Sequence, residues 1–216
     1  MFSKLIINLA LLLLPIAGTA CSNGHNSKPA AAPTEQPAQD TASTVLHFPP
    51  LPDKPSGTAF IVISKRDLTL SVYDRNAAGD TVIVAQFPCC MGKNKGDKVK
   101  RGDMRTPESP AGKSFKITMI QDASTWRHDF NDGRGNIKAY GHWFLRLETP
   151  GHRGIGIHGS TNNESTVPGR ASEGCIRLLD KDIITLKEHF AYVGMPVTVQ
   201  AEDQAPFSWE QRIRQQ

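Results

Sequence analysis

Short runs of alternating apolar residues recur after residue 57 and restrict the fold to a mainly β architecture. The clearest pair is A-F-I-V-I-S-K followed by L-T-L-S-V-Y, with Arg66 and Asp67 between them. Alternation with a period of two across a short polar turn is typical of a β-hairpin. Further strands are predicted at T-V-I-V-A-Q-F, S-F-K-I-T-M-I, H-W-F-L-R-L-E, I-G-I-H and M-P-V-T-V-Q.

One segment, D-K-D-I-I-T-L-K-E-H-F, has the periodicity of a helix. Asp180 stands where a capping residue is expected, and Gly194 follows as a helix stop. The result is a mainly β domain with one principal helix. The apolar residues predicted to share the core-facing side of that helix are Ile183, Ile184, Leu186 and Phe190.

Residues 1–21 have the composition of a secretory signal. Lys4 precedes an apolar run that is short for a membrane span, and small residues lead to Cys21. The G-T-A-C sequence resembles a lipoprotein processing site and predicts lipidation of Cys21, although cleavage of an ordinary signal peptide near Ala20 is the alternative. The chain is therefore expected to be exported to the cell envelope and anchored in a membrane, facing the periplasm or cell wall.

The rest of the chain divides by composition into three parts. Residues 22–56 are rich in Pro, Ala, Ser and Thr and are predicted to form a disordered linker. Residues 57–200 suit one domain with one core. Residues 201–216 form a tail in which Phe207 and Trp209 favour a short helix packed on the domain.

Two motifs carry candidate chemistry. His158 lies in I-H-G-S, and Cys175 lies seventeen positions later in S-E-G-C-I-R. An imidazole titrates near neutrality and accepts the proton that makes a thiol nucleophilic. A buried cysteine and a structural histidine are the ordinary alternative. Glycines at 156, 159 and 174 flank both residues and favour close approach of a substrate to the backbone.

Together these motifs resemble the active-site signature of bacterial L,D-transpeptidases, the cysteine enzymes that cross-link peptidoglycan. The resemblance extends over residues 57–200 through K-R-D-L-T-L-S-V-Y-D, M-G-K, R-T-P-E, G-K-S-F-K-I and A-Y-G-H-W-F-L-R-L. It implies an L,D-transpeptidase-like β-sandwich that needs no cofactor. It also implies peptidoglycan stem peptides as donor and acceptor. Cys175, with His158 as base, would attack the carbonyl that joins diaminopimelate to D-alanine.

Supporting roles follow from position around this pair. Gly174 and Ser172 are expected to shape the nucleophile loop and its oxyanion hole. Arg177 is expected to bind a substrate carboxylate, with a structural ion pair as the alternative. Further residues expected to line the substrate site are Gly159, Ser160, Tyr140 and Trp143.

The sequence departs from the family pattern at two places. Glu173 stands where many members have histidine, so an accessory imidazole is missing. The T-P-E-S-P-A-G-K-S-F segment is longer than the compact family pattern, which predicts a change in the peptide admitted.

The remaining cysteines and charges exclude other classes of site. Cys89 and Cys90 are neighbours, for which we expect one buried thiol and one nearer the surface rather than a disulfide. Scattered histidines predict no metal site. The net charge of +4 does not indicate nucleic acid. The basic run over residues 92–105 either attracts carboxylate-bearing peptides or is a solvated loop.

Three functions remain open from the sequence. An L,D-transpeptidase forming diaminopimelate–diaminopimelate cross-links is the main prediction. An L,D-carboxypeptidase or other peptidoglycan hydrolase on the same fold would use the same residues. A non-catalytic peptidoglycan-binding lipoprotein would need neither Cys175 nor His158.

Overall fold

The computed structural model describes residues 48–215 and confirms a mainly β domain. The predicted signal peptide, Cys21 and most of the linker lie outside the described residues. A 3-10 turn at Glu164–Thr166 and two helices, α1 (Asp180–His189) and α2 (Ser208–Arg214), accompany the strands. The strands are β1 (Phe60–Ser64), β2 (Thr69–Arg75), β3 (Thr81–Pro88), β4 (Cys90–Gly92), β5 (Phe115–Asp122), β6 (Arg127–Asp129), β7 (Asn136–Lys138), β8 (Trp143–Leu147), β9 (Gly156–His158), β10 (Gly169–Ser172), β11 (Ile176–Arg177) and β12 (Pro196–Gln200).

Ten strands form one sheet in the order β10-β4-β11-β9-β8-β5-β12-β1-β2-β3. The predicted β1–β2 hairpin is confirmed, and β1 also pairs in parallel with β12. One contiguous core cluster takes side chains from both ends of this sheet, including Leu70 of β2 and Ile176 of β11. The sheet therefore folds over a shared core as a sandwich does. Strands β6 and β7 form a separate two-stranded hairpin.

The tail forms helix α2, which covers the outer face of the β1–β2 hairpin. The ring of Trp209 meets Tyr73 edge to face at 4.9 Å, and the Tyr73 hydroxyl donates to Glu210 Oε1 at 3.0 Å. Val62 and Ile83 join Tyr73 in this smaller cluster. Strand β1 is consequently buried on both faces.

Helix α1 differs from the prediction at both ends. Leu179 is the N-cap, and Asp180 is the first helical residue, because its carboxylate accepts hydrogen bonds from the loop at residues 160–161. The helix ends at His189, and Gly194 instead adopts φ +96° in the turn before β12. The predicted apolar face is otherwise present: Ile183, Leu186 and Phe190 are buried and Ile184 is half-buried.

Strands β4, β10 and β11 are two to four residues long and show no periodic signal in the sequence. Strand β4 lies inside the sheet, between β10 and β11. Cys89 and Cys90 are therefore both buried, and the expectation that one thiol lies nearer the surface is wrong. Both thiols are free.

Candidate active site

Strand pairing brings the two motifs together. Strand β11 pairs in parallel with β9, so that Ile176 lies opposite Ile157 and Arg177 lies opposite His158. Neighbouring strands are about 4.8 Å apart. Cys175 directly precedes β11, and it shares a pocket of about 50 Å³ with His158 and Arg177. The candidate nucleophile and base thus line the same pocket at the end of two buried strands.

The Cys175 side chain is half-buried. Its thiol donates to the carbonyl of Gly154 across 3.4 Å. Burial raises its pKa above the ordinary value for a thiol, while the backbone N–H of Gly156 and the charge of Arg177 act in the opposite direction. The resting group is therefore a thiol, and nucleophilic attack requires a base that removes its proton.

His158 is the candidate for that base. Its ring is 3% exposed, and Nδ1 lies 2.7 Å from the carbonyl oxygen of Gly159. Because a carbonyl only accepts, Nδ1 carries the proton and Nε2 keeps its lone pair. Burial, followed by the nearby charge of Arg177, lowers the pKa of His158 to about 3. The imidazole is therefore neutral at pH 7, and the same burial makes it a weaker base than a free imidazole.

Aromatic rings hold this imidazole in place. Phe144, which lies opposite His158 on β8, stacks on it at 5.6 Å with an interplanar angle of 12°. The ring of Tyr140 lies 4.8 Å away and lines the pocket. Burial raises the pKa of Tyr140, and the nearby Cys175 and Glu173 act in the same direction.

The nucleophile loop is held by one hydroxyl. Ser172 Oγ donates to the carbonyl of Cys175 at 2.6 Å and accepts the Gly174 N–H at 3.1 Å. The Gly174 amide is therefore engaged within the loop. Gly174 has φ +133°, and a Cβ there would lie 2.7 Å from the carbonyl oxygen of Arg105. Only glycine fits this position.

Arg177 is a buried cation on the pocket wall. It is 3% exposed, and its guanidinium lies over the ring of Phe130 at 5.1 Å. Within residues 48–215, no carboxylate lies within 4 Å of it, and its Nε has no hydrogen-bond partner. A buried charge without a counterion is costly, so the site favours an anionic ligand.

Three predicted substrate-site residues have other surroundings. Gly159 and Ser160 are buried beneath His158, where the Ser160 amide donates to Asp180 Oδ1 at 2.7 Å. A Cβ on Gly159 would lie 2.7 Å from Gly141 Cα, so close packing explains the glycine. Trp143 packs against the core, and Lys187 Nζ lies 4.3 Å from the centroid of its ring. Adjacent residues of a strand face opposite sides of the sheet, so Phe144 faces the pocket and Trp143 does not.

Sequence reasoning missed the opposite wall of the pocket. The β6–β7 hairpin contributes His128 and Phe130, and His128 Nε2 lies 3.2 Å from Glu173 Oε2. Glu173, which stands where many family members have histidine, therefore faces the imidazole of His128 from strand β6. The unusual Glu173 was the one available signal, but nothing in the sequence links it to a residue 45 positions earlier.

Two kinds of feature are absent from the part of the chain that the structure describes. No group of three or more His, Cys, Asp or Glu side chains is placed to hold a metal ion. Among residues 48–215, no helix is long and apolar enough to cross a membrane.

Several solved structures resemble this chain. Bd1075 of Bdellovibrio bacteriovorus is 20% identical with a TM-score of 0.48, and the match covers 78% of this chain and 59% of that one. Pgp2 of Campylobacter jejuni, a helical cell shape determining protein, is 19% identical with a TM-score of 0.49, covering 73% and 52%. An L,D-transpeptidase from Mycobacterium smegmatis is 21% identical with a TM-score of 0.44, covering 66% and 58%. The chain thus matches about half to three-fifths of the length of these proteins.

The family itself is shown by a different comparison. Comparison with functionally curated proteins gives no match. The profile of the YkuD L,D-transpeptidase catalytic domain matches residues 58–199, which is more than half of the chain. This range contains every strand of the sandwich except the last residue of β12, and the whole pocket around Cys175. The chain therefore belongs to the YkuD family of L,D-transpeptidase catalytic domains.

Proposed function

We propose that this protein is a cysteine transpeptidase that joins two diaminopimelate residues of neighbouring peptidoglycan stems and releases D-alanine. The proposal rests on the three functional groups that line one pocket in a chain of this family. That pocket holds the Cys175 thiol, the neutral His158 with the lone pair on Nε2, and the Arg177 guanidinium, which has no counterion among residues 48–215. A nucleophile, a base and an anion-binding group are what acyl transfer from a carboxylate-bearing peptide requires.

The first half-reaction forms a thioester. His158 Nε2 takes the proton of Cys175 as the sulfur attacks the carbonyl between diaminopimelate and D-alanine. The Cys175 amide acts as an oxyanion donor in place of the Gly174 amide, which Ser172 holds. The carbon–nitrogen bond breaks, D-alanine leaves with the proton from the imidazolium, and an acyl group remains on sulfur.

The second half-reaction reverses these roles. The side-chain amine of a second diaminopimelate attacks the thioester, gives its proton to His158, and displaces the sulfur, which recovers that proton. The carboxylate of the donor stem that meets Arg177 holds the acyl group in place through both steps. Water in place of the amine would make the protein an L,D-carboxypeptidase.

We also propose that the protein works at the cell envelope. The amino-terminal sequence supports this, since residues 1–21 have the composition of a secretory signal and Cys21 stands at a lipoprotein-like processing site. Incorporation of radiolabelled palmitate into the wild type and not into Cys21→Ala is the expected result. No incorporation into the wild type would contradict lipid anchoring.

Mass spectrometry of peptidoglycan fragments tests the activity. Tetrapeptide monomers and dimers are incubated with the purified full chain or with Cys175→Ala. New diaminopimelate–diaminopimelate cross-links with the wild type alone are the expected result. Loss of D-alanine without cross-links would identify a carboxypeptidase, and no change dependent on Cys175 would refute the catalytic assignment.

A further inference from the structure

A second cleft opens beside the nucleophile. It has a volume of about 570 Å³ and begins at Gly154, whose carbonyl accepts the Cys175 thiol at 3.4 Å. We call it the basic cleft, because every ionisable side chain that lines it is a base. Those side chains are Lys98, Arg101, Arg146, His152 and Arg153.

Most of this positive charge has no counterion in the described part of the chain. Lys98 is paired, since its Nζ donates to Asp103 Oδ1 at 2.7 Å. Arg146 Nη2 donates to the neutral amide oxygen of Gln121 at 2.9 Å. Within residues 48–215, no carboxylate lies within 4 Å of Arg101, Arg146 or Arg153. Three guanidinium groups around one cleft attract an anion.

The cavity on the other side of the pocket has a different charge pattern. It has a volume of about 330 Å³ and contains acidic Asp132 and Glu173 beside Lys93, Arg134 and Arg177. Mixed charge suits a peptide that carries both ammonium and carboxylate groups. The basic cleft suits a residue whose only charge is a carboxylate. The terminal residue of a peptide is such a residue, because its nitrogen is uncharged while it forms the amide bond.

The chemistry of the proposed substrates has such a group. The nitrogen that leaves belongs to D-alanine, and the nitrogen that attacks belongs to the side chain of diaminopimelate. In both molecules the carbon that bears this nitrogen also bears a carboxylate. The attacking amine approaches along the path by which the leaving amine departs, because the second half-reaction is the reverse of the first in mechanism.

We propose that the basic cleft binds the carboxylate next to the leaving amine and then the carboxylate next to the accepting amine. This assignment rests on the proposed function. One residue spans about 3.5 Å, so a carboxylate one residue beyond the scissile carbonyl reaches a cleft that begins at Gly154. Arg101 and Arg153, which are exposed, are free to turn toward it.

The test compares charged and neutral forms of one substrate. The full chain is incubated with a tetrapeptide stem that ends in D-alanine or in D-alaninamide, and acyl-enzyme is followed by intact-protein mass spectrometry. The variants are wild type, the double variant R101Q/R153Q, and R212Q as control. Arg212 is an exposed arginine of α2, which packs on β2 in the other half of the sheet.

The wild type is expected to acylate the free acid about tenfold faster than the amide, a factor typical of one charge-assisted contact. R101Q/R153Q is expected to lose that preference by slowing only on the acid, whereas R212Q keeps it. Transfer of the acyl group to D-alanine or D-alaninamide is expected to show the same pattern.

The outcomes separate this inference from the proposed function. If the wild type forms no acyl-enzyme with either stem, the proposed function fails, and the assignment of the cleft fails with it. If the wild type acylates but R101Q/R153Q keeps the preference, or slows equally on acid and amide, only the assignment of the cleft is refuted.

Discussion

The two walls of the active-site pocket are held in different ways. The catalytic wall consists of the loop 172–175 with strands β9 and β11, and its polar groups are tied to neighbouring backbone inside the sheet. The hairpin wall, residues 127–138, touches the catalytic wall through the partly exposed pair His128–Glu173 and through Phe130, over which Arg177 lies. Arg134 also ties the hairpin to the loop at residues 162–163.

This difference suits the catalytic wall to proton transfer and the hairpin wall to substrate recognition. Groups that transfer protons need a fixed geometry, which a buried sheet provides. A wall attached by surface contacts can vary, and local opening there costs little, because the main sheet remains intact. Variants in the catalytic wall are therefore expected to affect the rate far more than variants in the hairpin wall.

The largest effect is expected from Gly174→Ala. The alanine would adopt φ +133° and place its Cβ 2.7 Å from the Arg105 carbonyl, so the nucleophile loop must shift. Such strain costs about 1–3 kcal/mol, and displacement of the sulfur by about 1 Å costs about a hundredfold in rate. Transpeptidation kinetics and thermal unfolding measure both effects.

The matched control is Gly133→Ala in the turn of the hairpin wall. Its φ is +87°, but nothing lies within 4 Å of an added Cβ. It should lower stability by about 1 kcal/mol and leave the rate within about twofold of wild type. Equal losses of rate in the two variants would remove the distinction between the walls.

A smaller effect is expected from Ser172→Ala. The variant loses the donor to the Cys175 carbonyl and the acceptor of the Gly174 amide, each worth about 1 kcal/mol. The rate should fall about tenfold as the loop loosens. Ser114→Ala, which breaks an exposed hydroxyl pair with Thr198, is the control and should retain full activity. Wild-type kinetics in Ser172→Ala would show that backbone packing alone fixes the loop.

The pH dependence of thiol labelling sharpens the description of the catalytic wall. The thiolate is the reactive form, and the pKa of Cys175 lies above its ordinary value, so a smaller fraction is ionised at pH 7 than in the unfolded chain. Iodoacetamide should label the Cys175 peptide severalfold more slowly in the folded protein than in urea. The rate should keep rising with pH beyond about 8.5, the ordinary thiol value. A plateau near neutrality would mean a preformed thiolate.

The buried cysteines provide a comparison within the same experiment. Cys89 is fully buried, and burial raises the pKa of its thiol strongly. Its peptide should stay unlabelled in the folded protein at every pH and become labelled in urea. If Cys89 were labelled at the same rate as Cys175, the measured rate would be that of opening of the protein to the reagent and not that of thiol ionisation.

The sequence predicted the parts of this molecule that depend on local pattern. Alternation located β1, β2 and β12, and the two glycine-flanked motifs located Cys175 and His158, since each pattern is complete within a few residues. The contact of Arg177 with Phe130 and the pair His128–Glu173 join residues more than 40 positions apart and depend on long-range register. Short strands such as β11 carry too few residues to show a period.

The smallest effect is expected from Glu173→Gln, which acts where the two walls meet. The carboxylate raises the pKa of Cys175, so its removal lowers that pKa and should speed labelling of Cys175 at pH 8, by less than about threefold for a partly exposed charge. A weaker contact with His128 should also increase hydrogen exchange of the hairpin amides at residues 127–138. Glu188→Gln, which removes an exposed carboxylate on α1, is the control and should change neither measurement.

Two results would contradict this prediction. Slower labelling of Cys175 in Glu173→Gln would mean that the carboxylate lowers the pKa of the thiol instead of raising it. Unchanged hairpin exchange would mean that the remaining contacts, from Arg134 and from Arg177 over Phe130, hold the second wall without this pair.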